Sequence, residues 1–171
     1  MRTGTLLGVV LMLCCLGSTV GAEPTPEFGE REKTFVDRMA AKDLAEIELS
    51  KAIKGKSSSA AVRRLARAIL ADDSANYEQL FKLCLRRHYA IAPQLDERHR
   101  RLLAEIRAAR SSRALGRKYV DTLLLEEDRI APELTRLAAD KGLPQDLEQF
   151  ASNSAQMIAR HERMVRELAS K

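Results

Sequence analysis

The sequence predicts an all-α protein: four long amphipathic helices in two hairpins, with a short extra helix in the connection between the hairpins. Three observations predict it. Hydrophobic residues make up 45% of the 171, but only 4% are aromatic and Trp is absent, so the core is aliphatic and strand-favouring composition is missing. From Lys33 onward apolar residues recur at helical spacing, and no alternating strand pattern competes. Gly, Pro and Ser fall between the periodic stretches, where helices stop and start.

Residues 1–22 read as a secretory signal. Arg2 supplies the positive end, Leu6 to Leu16 the apolar run, and Val20-Gly21-Ala22 a small-residue cleavage site. That run is too short to span a bilayer comfortably; an uncleaved anchor is the rival reading. Leu13 and Cys14 precede Cys14 and Cys15 where a lipoprotein box wants a small residue. Both cysteines then leave with the signal, and Cys84 alone remains. The mature chain is therefore expected in the periplasm or outside the cell, with no internal disulfide and a fold that rests on its core. Loss of Arg2 takes the formal charge from +5 to +4.

Residues 23–32, "EPTPEFGERE", read as a flexible leader, and 33–171 as one domain. The first helix is expected over Lys33 to Lys54, ending at Gly55. The serines of "GKSSSAAV" offer caps for a second, Ser59 to His88. Pro93 and Asp96 precede a shorter amphipathic helix, Leu95 to Arg110, with Leu102, Leu103 and Ile106 on one side. Ser111 or Ser112 can cap the third long helix, which runs to about Lys141 and stops at Gly142. Pro144 stands near the start of the fourth, Gln145 to Leu168. Pro132 falls inside the third helix and deletes a donor there. The stripe continues through Ile130, Ala131, Leu134 and Leu137, which favours a kink over a break.

A weak internal repeat supports the pairing of hairpins. "ILADDSANYEQLFKLC" overlays "LLLEEDRIAPELTRLA" without a gap, matching Asp72-Asp73 to Glu126-Glu127. Two hairpins joined by the long 89–112 connection form the ferritin-like variant of the four-helix bundle.

At about 100° per residue, each long helix turns one ionisable residue into its apolar sector. In the second helix Asp73 sits at the centre of a sector holding Leu65, Ile69 and Leu80, with Asn76 beside it and Asp72 at the edge. In the third, Glu127 sits among Leu123, Ile130 and Leu134. In the fourth, His161 sits among Ile158 and Val165. In the first, Glu46 lies with Met39, Ile47 and Ile53, with Asp43 and Ser50 nearby and Glu48 outward. Residues equidistant from a hairpin turn share a level. The midpoint of 127 and 161 is 144, at the "KGLP" turn, and that of 46 and 73 is near the "GKSSS" turn. Glu127 can face His161, and Asp73 can face Asp43 or Glu46.

A lone buried carboxylate costs several kcal/mol, so partners are required. In one reading, Glu127 and His161 pair while the remaining carboxylates share protons and bond to Tyr77, Asn76 or Ser154. In the other, a divalent cation (Mn, Fe or Zn) sits among Glu46, Asp73, Glu127 and His161. Three carboxylates against one His leave excess negative charge inside, which favours a cation.

"FVDRMAAKDLAEIELSKAI", the segment from "AVRRLARAILADD", "YVDTLLLEED" and "IARHERMVREL" resemble the secreted bacterial "domain of unknown function 4142" family over Phe35 to Leu168. The resemblance implies a ferritin-like bundle and an exported protein, with no assigned reaction. It implies Glu at Glu46, Asp-His where this chain has Asp72-Asp73, a second Asp-His at Glu126-Glu127, and His at His161. Two of those histidines are replaced here by Asp73 and Glu127, which still bind metal or protons. The paired Glu-x-x-His of di-iron bundles is missing from the long helices, which argues against ferritin-type iron oxidation. The nearest look-alike, Asp96 with His99, is expected on the connecting helix in solvent.

The connection is basic. Arg86, Arg87, Arg98, Arg100, Arg101, Arg107, Arg110, Arg113, Arg117 and Lys118 face Asp96, Glu97 and Glu105, a net of +7. For an exported chain the partner would be an anionic envelope surface, lipid headgroups or an acidic protein, not nucleic acid; the alternative is a solvated face. Cys84 and the methionines flanking His161, Met157 and Met164, are expected in the core. No catalytic motif settles a reaction. Three readings stand: a non-enzymatic bundle for binding or envelope stress tolerance, a metal-binding or redox protein, and an envelope-surface module.

Overall fold

The computed structural model describes residues 27–54, 56, 59–92, 94–109 and 111–170. The signal over 1–22, the start of the leader, Gly55, Pro93 and Arg110 lie outside the described residues. The elements are α1 (Glu30–Ile53), α2 (Ala60–Arg86), α3 (Glu97–Ala108), α4 (Ser112–Ala138) and α5 (Gln145–Ala169), with no strand among them.

Helix starts follow local chemistry. Ser59, Asp96 and Ser111 accept hydrogen bonds from the amides of Val62, His99 and Ala114, covering donors that the first turn leaves open. Helix α1 begins three residues before the expected Lys33. Glu30 and Glu32 suit the positive end of its dipole, and Gly29 N–H donates to the Glu32 carboxylate. The leader also touches the bundle: Phe28 is buried, with its ring edge-on to Tyr89 at 5.8 Å and the Arg87 guanidinium 5.1 Å above it.

Helix α4 runs unbroken through Pro132. Pro132 and Asp128 are both exposed, so the carbonyl that loses its donor faces water. Helix α2 ends by another device. His88 takes φ 53°, Tyr89 N–H donates to Cys84 C=O at 3.0 Å, and His88 N–H to Leu85 C=O at 3.2 Å. This is a Schellman cap with His where Gly is usual.

Helix α1 packs on α2 and α4 on α5; across the hairpins α2 meets α5, α1 meets α4, and α3 lies over α1 and α4. Two apolar layers fill the bundle. One holds Phe35, Met39, Leu80, Cys84, Leu134 and Phe150. The other holds Ile53, Leu65, Ile69, Tyr119, Leu123 and Val165. Helices α1 and α5 run from the first layer to the second, and α2 and α4 run back, so every neighbouring pair among these four is antiparallel. The connection carrying α3 crosses from Ile91 in the first layer to Leu103 and Ile106 in the second. Between the layers lies a polar one: Lys42, Asp43, Glu46, Asp73, Asn76, Glu127 and His161 are all buried.

Candidate metal centre

The polar layer draws on all four long helices. On α1, Lys42 and Glu46 are one turn apart on the face that carries Met39 and Leu49 into the core, and Asp43 lies beside them. Helix α2 contributes Asp73 and Asn76, α4 Glu127, and α5 Ser154 and His161.

Lys42 is the residue that sequence reasoning missed. It is 3% exposed, and its ammonium lies 3.2 Å from Glu46 Oε2, 3.3 Å from Asp73 Oδ1 and 3.5 Å from Asp43 Oδ1. The protein therefore supplies an internal cation of its own. This ammonium offsets part of the excess negative charge that three carboxylates against one His leave inside. Burial acts to lower the Lys42 pKa, but Asp73, Glu46, Glu127 and Asp43 outweigh it and hold the pKa well above its ordinary value.

The carboxylates are raised as well, but in them burial is the cause that wins. Burial pushes the Asp43 carboxyl up to about 7, against the downward pull of Lys42 and a 2.7 Å hydrogen bond from Asn76 Nδ2. Asn76 in turn accepts from Ser154 Oγ at 2.9 Å, which ties α1, α2 and α5 together. Burial also raises Glu46 well above the carboxylate range, with Glu127 and Asp73 adding to the rise, and raises Asp73 despite Lys42 and His161. Asp43, Glu46 and Asp73 thus hold protons more tightly than exposed carboxyls do, while Lys42 and His161 are held toward their charged forms.

His161 is fully buried and bridges two acids. Its Nε2 is 3.0 Å from Asp72 Oδ2, and its Nδ1 lies 3.3 Å from Glu127 Oε1, at ion-pair distance but outside hydrogen-bond geometry. Burial would lower its pKa, but Glu127 and Asp73 raise it. Asp72, placed by the sequence at the sector edge, thus fixes the ring and aims Nδ1 inward. A carboxylate behind a ligating imidazole is the usual arrangement at metal sites.

Glu46, Glu127 and His161 come together, each offering one ligand atom, and these atoms all lie within 4.8 Å of one another. Neither oxygen of Glu46 or of Glu127 makes a hydrogen bond, nor does His161 Nδ1. Bonds of about 2.0–2.2 Å place ligand atoms roughly 3 Å apart, so small rotamer movements would close this set on an ion. Asp73 is not one of the three; its Oδ1 lies 3.3 Å from the Lys42 ammonium, and its charge also acts on Glu46 and His161. Two carboxylates and one imidazole suit a borderline divalent ion.

A second His–acid cluster lies under α3, where solvent was expected. His99 is 6% exposed, because Leu103 and Ile106 of the same helix pack into the core and draw it down. Its Nε2 is 3.2 Å from Glu126 Oε2 and its Nδ1 3.0 Å from Asp96 Oδ1. Arg98 also pairs with Glu126. Burial would raise Glu126, but His99 and Arg98 outweigh it and hold the carboxyl at about 2. The two nitrogens of His99 point at different acids, so this cluster does not converge on a point. Beside it a crevice of about 450 Å³ opens between α1, α3 and α4, with Lys42, His99 and Glu126 in its walls.

Much of the basic connection is internally paired. Arg86 and Arg87 meet Asp146, Arg98 meets Glu126, Arg100 meets Glu97, Arg107 meets Glu48 and Lys118 meets Glu105. Arg101, Arg113 and Arg117 are exposed and outside these pairs. Cys84 is buried, and its thiol is pushed up to about 11 by burial. Met157 is buried and Met164 packs on the second apolar layer.

Among solved structures, the bundle is similar to the crystal structure of a DUF305 fragment from Deinococcus radiodurans. The TM-score is 0.72 at 14% identity, covering 84% of this chain and 97% of that one. That likeness speaks to the fold. No curated protein matches the chain. The family model for the domain of unknown function DUF4142 matches residues 18–168. The chain belongs to the DUF4142 family, an all-α helical bundle whose function is unassigned.

Proposed function

We propose that this protein is an exported, non-catalytic bundle that binds one divalent transition-metal ion, Mn, Fe or Zn, through Glu46, Glu127 and His161. The observation that carries the reading is the set of inward ligand atoms from three helices, fully buried and without hydrogen bonds, met only by the ion pairs of Glu46 to Lys42 and of Glu127 to His161. Buried polar atoms are ordinarily satisfied, and a cluster of unsatisfied ones points to an ion. Asp72 behind His161 supports it by holding the ring in the ligating orientation. Export rests on the signal pattern of residues 1–22. One imidazole is too few for the paired Glu-x-x-His of a di-iron centre, which favours binding over oxygen chemistry.

Metal analysis of protein made without a histidine tag and equilibrated with Mn²⁺, Fe²⁺ or Zn²⁺ tests the reading. About one equivalent is expected, lost in a Glu127→Gln, His161→Ala double variant. Absence of stoichiometric metal in the wild type sinks it.

A second reading has its own observation. With Lys42 in place, the layer carries a cation of its own and acts as a structural register between the two apolar layers. Asp43→Asn, which keeps the Asn76 contact, would then leave stability near neutral pH unchanged or higher. The third proposal, contact with an anionic envelope surface, falls to Arg101, Arg113 and Arg117, and binding to anionic vesicles that is lost when these three are neutralised would support it.

A further inference from the structure

We infer that Lys42 is a built-in competitor for the metal: its ammonium holds the cation position of the layer and must withdraw before a divalent ion settles there. The inference rests on the metal-binding reading and adds how occupancy is controlled.

Two observations carry it. First, the ammonium lies 3.2–3.5 Å from Glu46, Asp73 and Asp43, so it already sits where the charge of these acids converges. An ion on Glu46 and an ammonium on Glu46 would be neighbours of like charge inside the protein, where screening is weak. Second, Lys42 has somewhere to go. Its side chain stands in the wall of the crevice under α3, about 450 Å³, which opens to solvent; Glu126 and Asp96 there are already paired with His99 and Arg98, and Arg38 and Arg129 share the wall, so the ammonium would exchange its acids for water. A four-carbon stem with an ammonium at its tip makes that move by rotamer changes alone.

The experiment compares Zn²⁺ and Mn²⁺ binding to wild type, Lys42→Met and Lys42→Arg by calorimetry, with thermal unfolding of each protein metal-free and metal-loaded. Lys42→Met should bind at least tenfold tighter than wild type. It should also unfold at lower temperature when metal-free and gain more than wild type from metal. Lys42→Arg keeps the charge and should bind no better than wild type. Equal affinity in wild type and Lys42→Met overturns the competition while leaving the metal site standing. No binding in either overturns both. Binding in Lys42→Met alone upholds the competition and overturns metal binding as the function of the native chain. Should Lys42→Met not fold metal-free, it is refolded with and without Zn²⁺: helical signal recovered only with the ion supports the inference, and none with either overturns it.

Discussion

Asp72-Asp73 on α2 and Glu126-Glu127 on α4 are the same step written twice, and the bundle treats the two differently. In both, the first acid meets a His and an Arg that are consecutive in sequence. Asp72 meets His161 at 3.0 Å and Arg160 at 3.5 Å; Glu126 meets His99 at 3.2 Å and Arg98. In both, the second acid is fully buried. The difference lies in the helix that brings the His. Helix α5 runs the length of the bundle, so the second nitrogen of His161 reaches inward to Glu127. Helix α3 has 12 residues and lies outside the four, so the second nitrogen of His99 turns back to its own cap, Asp96. One cluster opens onto the polar layer and the other is closed on itself. A repeated acid pair becomes a candidate site only where a core helix completes it.

The sharpest way to break this comparison is to delete each histidine. His161→Ala leaves Glu127 buried with no imidazole and Asp72 with only Arg160, and should cost about 3–5 kcal/mol of unfolding free energy. His99→Ala leaves Glu126 its Arg98 and should cost about 1–2 kcal/mol. Urea unfolding of the pair measures both, and equal losses would erase the distinction.

The two clusters should also answer pH in opposite directions. Asp43 binds its proton more tightly folded than unfolded, so its contribution is complete below about 3.8 and is lost as pH rises to about 7. The raised His161 acts with the same sign, from 6.5 upward. Stability should therefore fall by a few kcal/mol, order of magnitude, between those limits, and Asp43→Asn should flatten the fall. Glu126 is the reverse: held at about 2, it contributes fully above 4.5 and loses that as pH drops through about 2. Glu126→Gln should remove part of the acid limb and leave the slope near neutrality alone. Thermal unfolding across pH reads both limbs.

The smallest effect belongs to a position that touches neither cluster. His88→Gly relieves a left-handed residue at the α2 cap and should stabilise by roughly 0.5–1 kcal/mol, equally at all pH. A pH-dependent gain would mean that the cap and the polar layer are coupled.

The helical period was enough to place Glu46, Asp73, Glu127 and His161 inward, and hairpin midpoints were enough to set Glu127 opposite His161. Both follow from local geometry, since 3.6 residues per turn and a turn's position fix face and depth. Lys42 shares that face with Met39, Glu46 and Leu49, yet a lysine at such a place ordinarily runs its stem to water. Its ammonium stays inside because acids from α2 and α4 surround it as well as those of α1, which no single helix reveals. His99 escaped for a related reason. The amphipathic face of α3 was legible, but not that laying this face on α1 and α4 would carry a flanking histidine under cover.

What the sequence determined by itself is the list of inward groups and their level along the axis, because period and chain reversal are local. What only the tertiary structure decided is which atoms meet: which nitrogen of His161 faces Glu127, which acid of each pair is met from outside, and that an ammonium fills the middle. Those choices are made by helix docking. Inside a buried layer, a shift of a few tenths of an ångström between charged atoms changes their attraction by about 0.5 kcal/mol, as much as an ordinary helix propensity does along the chain.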